Sequence, residues 1–350
     1  MSVPVSVVRG GKPEERIAKA LSLIDVENGL DTSYMNINRI YHTAIFNKPA
    51  KYIEGTRLRK DARILIKPNF VQIPLESPYA YTKAAYESTI KTGEGHLTTP
   101  RTIRGVLKAL HNLGFENLVI GEAAGGCQTD LCYKHFGIYE IAKEFGADVV
   151  DLNWEDSVKI QVPNRVTLDY VWVPKTVLEA DLLVSLPAMK LSLSLKNIGI
   201  GTLPGKYYGW NRAGRYVQGL DKPIHDQQQF TRMGKENDQS IGLAGEIVDV
   251  CTVNRIGLAV IDGTFVIDSS GNVHRADLTI AGFDPVATDA VAYAVMGFDP
   301  RKFIHMPMAE ERGLGTADLS KIEVRGESIE AVKIEVAPPR TVRGRRIKIA

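Results

Sequence analysis

Residues 182–208 read LLVSLPAMKLSLSLKNIGIGTLPGKYY. The apolar run 182–186 is closed by Asp181 before it and Pro187 after it. That is the pattern of a parallel strand covered on both faces. Lys190 and Lys196 follow, separated by a segment in which Ser192 and Ser194 alternate with leucines. Gly199, Gly201 and Gly205 come next. Glycine lets a backbone approach a ligand closely, and lysines beside exposed N–H groups favour an anion. The stretch is therefore expected to be a central strand and then a Gly-rich loop, with Lys190, Lys196, Asn197 and Gly205 around a small anion. The plain alternative is a loop with lysines in solvent.

Outward from this strand, the same grammar repeats. Residues 63–66 form a strand that ends in Lys67-Pro68-Asn69, which puts a cation and an amide where open parallel sheets bind ligands. Thr98-Thr99-Pro100 is a helix start, a threonine cap with proline in the first turn. Apolar spacing carries that helix to about residue 112. A strand at 117–120 leads to Gly121-Glu122-Ala123-Ala124-Gly125-Gly126. A helix over 131–145 and a strand at 148–152 complete a β-α-β-α-β order, a parallel doubly wound pattern. Residues 3–8 read as a strand and 12–24 as a helix. Residues 158–173 read as a hairpin, 240–254 as a helix, and 256–261 and 278–281 as strands, the first ended by an Asp262-Gly263 turn. Asp284-Pro285 reads as the capped start of a helix over 286–296. Edge strands are expected within 322–336 and 342–349. The fold class is α/β, a mostly parallel doubly wound sheet core with a second α/β lobe. The expected division is 1–157, then 158–300 with the Gly/Lys-rich segment, then a 301–350 extension with a basic tail.

Composition narrows the function. The chain has 350 residues, 44% of them hydrophobic, and a formal charge of +2. That supports a large core and argues against nucleic acid or an acidic membrane surface as partner. The three cysteines, Cys127, Cys132 and Cys251, form no CxxC. They fit a reducing compartment and supply no ligand set for a zinc ribbon or an iron–sulfur cluster. Without an apolar leader or a long apolar run, a cytoplasmic location is expected.

Three groupings could carry chemistry, the third being Asp284 and Asp289, of which Asp284 reads as a helix cap. Lys67 and Asn69 with Lys190 and Lys196 would clamp a carboxylate or phosphate, and a buried lysine can act as base or nucleophile. Glu122, His225, Asp226 and Asp262 could move protons, and Glu122, His225 and Asp226 could hold a divalent metal. Thr98, Gly125 and Gly126 would line the same strand ends. Cys127 and Cys132 stand five apart across a loop–helix junction and could be a redox pair or two unrelated thiols. The other histidines, His96 among them, have no partner at telling spacing.

The segments 63–69 (RILIKPN), 98–100, 182–197, 260–263 (VIDG) and 281–300, in this order, resemble the domain-of-unknown-function family 362. The resemblance implies no general activity. Members typically carry Lys-x-His after the central strand, whereas here Lys190 is followed by Leu191 and Ser192. The role of that histidine therefore does not transfer, and His225 is the candidate to replace it. The layout is more loosely similar to the nickel-pincer lactate racemase family, with 196–205 as the counterpart of its Gly-Lys-Pro-Gly stretch. The reading is of an enzyme acting on a small anionic molecule in an inter-lobe cleft, by a hydroxy-acid or redox-type conversion of the oxidoreductase or racemase/isomerase kind. Lys196, His225 and Glu122 would be catalytic. The alternative is a non-catalytic small-molecule-binding or electron-transfer accessory protein. A homodimer is left open.

Overall fold

The computed structural model describes residues 2–29, 53–54, 57–71, 95–125, 127–208, 242–268 and 270–337. Strand β1 (Val3–Arg9) leads into α1 (Pro13–Leu23) and the single turn α2 (Val26–Gly29). A small hairpin, β2 (Ile53–Glu54) and β3 (Arg57–Leu58), precedes β4 (Ile64–Lys67). Next come α3 (Pro100–Asn112), β5 (Leu118–Glu122), α4 (Thr129–His135), α5 (Ile138–Glu144) and β6 (Asp148–Asp151). A second hairpin, β7 (Ser157–Gln161) and β8 (Tyr170–Pro174), is followed by α6 (Lys175–Glu179) and β9 (Leu182–Ser185). Then follow β10 (Ala188–Met189), α7 (Ser194–Gly201), α8 (Gly205–Tyr208) and α9 (Gly242–Val253). The chain continues through β11 (Leu258–Ile267), β12 (Val273–Gly282) and α10 (Pro285–Val295). It then passes through α11 (His305–Glu311), β13 (Ile322–Gly326) and α12 (Ile329–Val332).

Among the described residues, nine strands make one sheet in the order β13-β1-β12-β11-β9-β4-β5-β6, with β10 added beside β11. Pairing is parallel from β11 to β6 and antiparallel where β12 meets β11 and β1. The fold is thus α/β with a mostly parallel sheet. Strands from 158–300 lie between β1 and β4, so the segments interleave in a single sheet.

Alternation along each strand builds the two sides. Ile64 and Ile66, Leu118 and Ile120, and Leu182 and Val184 face one core, with α1, α3, α4 and α5. Leu65, Val119 and Leu183 face the other, with α7, α9 and α10. Continuous apolar runs are what a sheet covered on both faces requires, and each fully buried side chain of this size contributes about 1.5–3 kcal/mol.

The structure differs from the sequence expectation in three places. The helix expected over 131–145 is two helices, because Gly137 takes φ 64° and redirects the chain. The Asp262-Gly263 pair does not end its strand; β11 runs on to Ile267 and absorbs the irregularity as a register shift after Gly263. The Gly-rich segment is not a loop: residues Ser194–Gly201 are helical. The expected strand at 342–349 lies outside the described residues. Among the described residues, no helix is long and apolar enough to cross a membrane.

Candidate functional site

Chain direction selects one place on this sheet. After β4 the chain moves by α3 toward β5, on one face. After β9 it moves by α7 toward β11, on the other face. The loops leaving β4 and β9 therefore part at their carboxyl ends, the switch point at which open α/β sheets hold ligands. Lys67-Pro68-Asn69 leaves one strand there, and the segment reaching Lys190 leaves the other.

The predicted polar residues meet at this point in one buried network. Lys67 is wholly buried. Its Nζ lies 2.6 Å from Glu122 Oε1 and donates to Pro68 O at 2.7 Å and Asn197 Oδ1 at 2.9 Å. An ammonium has three donors, so each has an acceptor within the protein. Glu122 is caged in turn: its Oε2 accepts from the Phe70 N–H at 2.6 Å and its Oε1 from the Ala123 N–H at 2.8 Å. Asn197 donates back to Lys67 O at 3.0 Å and to Ser185 Oγ at 3.2 Å. Gly201 explains the glycines of α7: a Cβ there would overlap Lys67 Nζ and stand 2.6 Å from its Cε. The close approach is thus to a protein side chain, and Gly199 serves the same end against the backbone of Ile247.

Lys190 is the second centre. Its Nζ donates to Asn69 Oδ1 at 2.6 Å and to His96 O at 2.7 Å. Burial pushes its pKa well below the usual lysine value, and the charges of Lys196 and Lys67 push it further against the pull of Glu122. The partly buried His96 imidazole is likewise driven well below its ordinary value, first by burial and then by Lys190 and Lys196. It therefore stands neutral near pH 7, a proton acceptor beside two lysines. Sequence spacing missed His96; its only signal is its position two residues before Thr98. Thr98 binds the two loops together: its Oγ1 donates to Leu186 O at 2.6 Å and accepts from the Asn69 N–H at 2.8 Å.

Lys196 and Asn197 are presented from the first turn of α7. Asp289, fully buried on α10, accepts the Ser194 and Leu195 N–H groups at 2.9 and 3.0 Å and so fixes that turn. Burial raises the Asp289 carboxyl to about 7, against the pull of those hydrogen bonds.

Other predicted residues stand around this core. Asp262 accepts from the Thr99 N–H at 2.8 Å and from Thr264, tying the start of α3 to β11. Gly125 is in the loop after β5, which Asn153 pins through Ala124 O at 3.0 Å; the Gly205 N–H donates to Asn153 Oδ1 at 2.8 Å. Gly126, His225 and Asp226 lie outside the described residues. Among the described residues, no group of three His, Cys, Asp or Glu side chains gathers as a metal site. A groove of about 600 Å³ beside the edge strand β13, near Phe298, Ile329 and Lys333, contains none of the predicted site residues.

Asp284 caps α10 as expected, accepting from the Ala287 N–H at 2.8 Å, and Thr99 caps α3. A search of curated proteins finds no match. The looser likeness to the lactate racemase family has no support from the family comparison. The family model described as "Domain of unknown function (DUF362)" matches residues 64–294, more than half of the chain and the whole of the β4–β9–β11 edge. The chain belongs to the DUF362 family.

Proposed function

We propose that the protein is an enzyme acting on a small anionic substrate, a carboxylate or phosphate, at the carboxyl ends of β4 and β9, where their loops part. The observation that carries this reading is Lys190. It is buried, it is surrounded by more positive than negative charge, and its ammonium form is disfavoured there. An arriving anion supplies the missing countercharge and restores the proton. Two N–H groups of the restored ammonium serve Asn69 and the His96 carbonyl, and the third is left to donate to the anion. Lys196 adds a second positive charge, and the neutral His96 imidazole accepts a proton from the substrate. Isomerisation of a hydroxy acid needs these parts, an anion clamp and a base; oxidation needs in addition a hydride acceptor brought as co-substrate. Lys67 and Glu122 hold the clamp rigid, and Asn69, Asn197 and Thr98 orient it.

Calorimetric titration with inorganic phosphate and with 2-hydroxy acids, in buffers of different ionisation enthalpy, tests this. Saturable binding with proton uptake is expected. Lys190→Met should weaken it by about 2–5 kcal/mol, roughly thirtyfold to a few thousandfold, while circular dichroism stays unchanged. Lys196→Ala should lose turnover and keep the fold. Equal anion affinity in wild type and Lys190→Met would sink the proposal. Binding without turnover of any hydroxy acid would leave the non-catalytic alternative.

A further inference from the structure

The loop that follows β5 carries a pair of sulfurs that the anion site does not use. Cys127 Sγ and Cys132 Sγ are 3.2 Å apart. Cys132 is buried on α4, and Cys127 is only partly covered. Their spacing accounts for the contact. Gln128 is the N-cap of α4, so Cys127 and Cys132 occupy the positions just before the cap and four residues after it. These two positions meet in a hydrophobic staple. A disulfide has sulfurs about 2.0 Å apart, so closure requires an approach of roughly 1 Å.

We infer that Cys127 and Cys132 form a reversible thiol–disulfide couple that closes by exchange with low-molecular-weight disulfides. This rests on the sulfur geometry and is independent of the anion reading. Cys127, the reachable sulfur, attacks the small disulfide as its thiolate. A bond forms between Cys127 and one half of that molecule, and the other half leaves as a thiol, taking up a proton. Cys132 then attacks the Cys127 sulfur, releases its own proton and expels the second half. Two protein thiols are oxidised by two electrons, and one small disulfide is reduced to two thiols. The neighbouring Cys127 sulfur, and after it burial, pushes the Cys132 thiol far above its ordinary value, so Cys127 and not Cys132 initiates.

Closure would tether the loop beside Glu122. The Ala123 N–H already bonds Glu122 Oε1, and the Ala124 N–H bonds Thr129 Oγ1 at 3.1 Å. The disulfide adds a covalent tie between this loop and α4, next to the ion pair that holds Lys67.

The experiment is oxidation of the full chain with graded ratios of oxidised to reduced glutathione, followed by acid quenching, alkylation, intact mass and peptide mapping. The expected product has lost two hydrogens, carries a linked Cys127–Cys132 peptide and reverts with excess reduced glutathione. Cys251, buried on α9 with its Sγ against Leu195 O, should stay a thiol and serve as the internal control. Cys132→Ser should stop at the mixed disulfide on Cys127, and Cys127→Ser should resist modification. Accumulation of the mixed disulfide in wild type, or no reaction at either sulfur, would overturn the inference. The wild-type mapping decides the matter even if a serine variant fails to fold.

Discussion

Arg16 and Lys190 are both buried cations on this sheet, and their surroundings differ. Arg16 rises from α1 against the antiparallel half. Its guanidinium donates to Gly11 O and Thr264 Oγ1 at 2.7 Å each and to Thr279 Oγ1 at 3.4 Å, with Asp277 at 3.7 Å. The charges acting on it are three acids, Asp262, Asp277 and Glu14, against one base, Arg275. Lys190 has the reverse: Lys196 and Lys67 against Glu122. A buried charge is tolerated when it is paired and costly when it is not. The antiparallel half therefore follows the rule of a stable core. The carboxyl ends of β4 and β9 break it, at the position where parallel sheets bind ligands. Stability does not explain a buried lysine among lysines; the proposed anion would supply the countercharge that it lacks.

The widest gap between the two regions should appear when a carboxylate is neutralised in each. Glu122→Gln leaves the Lys67 ammonium buried without its countercharge and should cost about 3–5 kcal/mol in urea unfolding. Asp277→Asn removes a half-exposed partner at 3.7 Å, and Arg16 keeps its oxygen acceptors, so about 0–1 kcal/mol is expected. Similar costs for the two variants would show that the Lys67–Glu122 pair does not anchor the site.

A smaller effect tests how closely α7 is packed on that pair. Alanine in place of a helical glycine ordinarily stabilises by about 0.5–1 kcal/mol. Gly201→Ala should instead destabilise by about 1–3 kcal/mol, because its Cβ falls on the Lys67 side chain. A gain in the unfolding midpoint would mean that Lys67 moves aside without cost, and the rigid clamp would have to be abandoned.

That glycine also marks where the sequence was legible and where it was not. Apolar runs such as 64–66 and 182–184 identified the strands, since burial on both faces leaves no other composition. Thr99-Pro100 and Asp284-Pro285 identified two helix starts, because capping chemistry is local. The reason for Gly201 was not local: the group it accommodates is 134 positions away in the chain, at Lys67. His96 was missed as a site residue for the same cause, and Asp289, paired in the sequence with Asp284, could not be assigned its partners on α7. One is brought to Lys190 by the loop before α3, and the other reaches α7 from α10. Lys67, Asn69, Glu122, Lys190 and Asn197 were legible as candidates because each directly follows or ends a readable strand, or opens the helix after one. Their connection as one network required the sheet order.

Proton linkage separates the regions most finely, because two buried aspartates shift in opposite directions. Asp289, beneath α7, is raised by burial from 3.8 to about 7. Its favourable contribution is complete below about pH 4 and is lost as pH rises through about 7, with a slope of up to about 1.4 kcal/mol per pH unit. Asp284, raised to about 6 by burial, adds in the same sense. Asp268, at the far end of β11, is pulled up by burial. The Asn272 side chain, the Asn272 and Ala337 N–H groups and His274 outweigh that and hold it at about 2. Its contribution is complete above about pH 4 and is lost as pH falls toward 2. Urea unfolding across pH 2–8 should therefore give a maximum just below about pH 4 from these groups. Asp289→Asn should flatten the neutral limb and leave the acid limb. Asp268→Asn should flatten the acid limb alone. If Asp289→Asn leaves the neutral limb unchanged, the carboxylate beneath α7 is already ionised at low pH, and the helix turn that presents Lys196 and Asn197 is held by a charge and not by a titrating group.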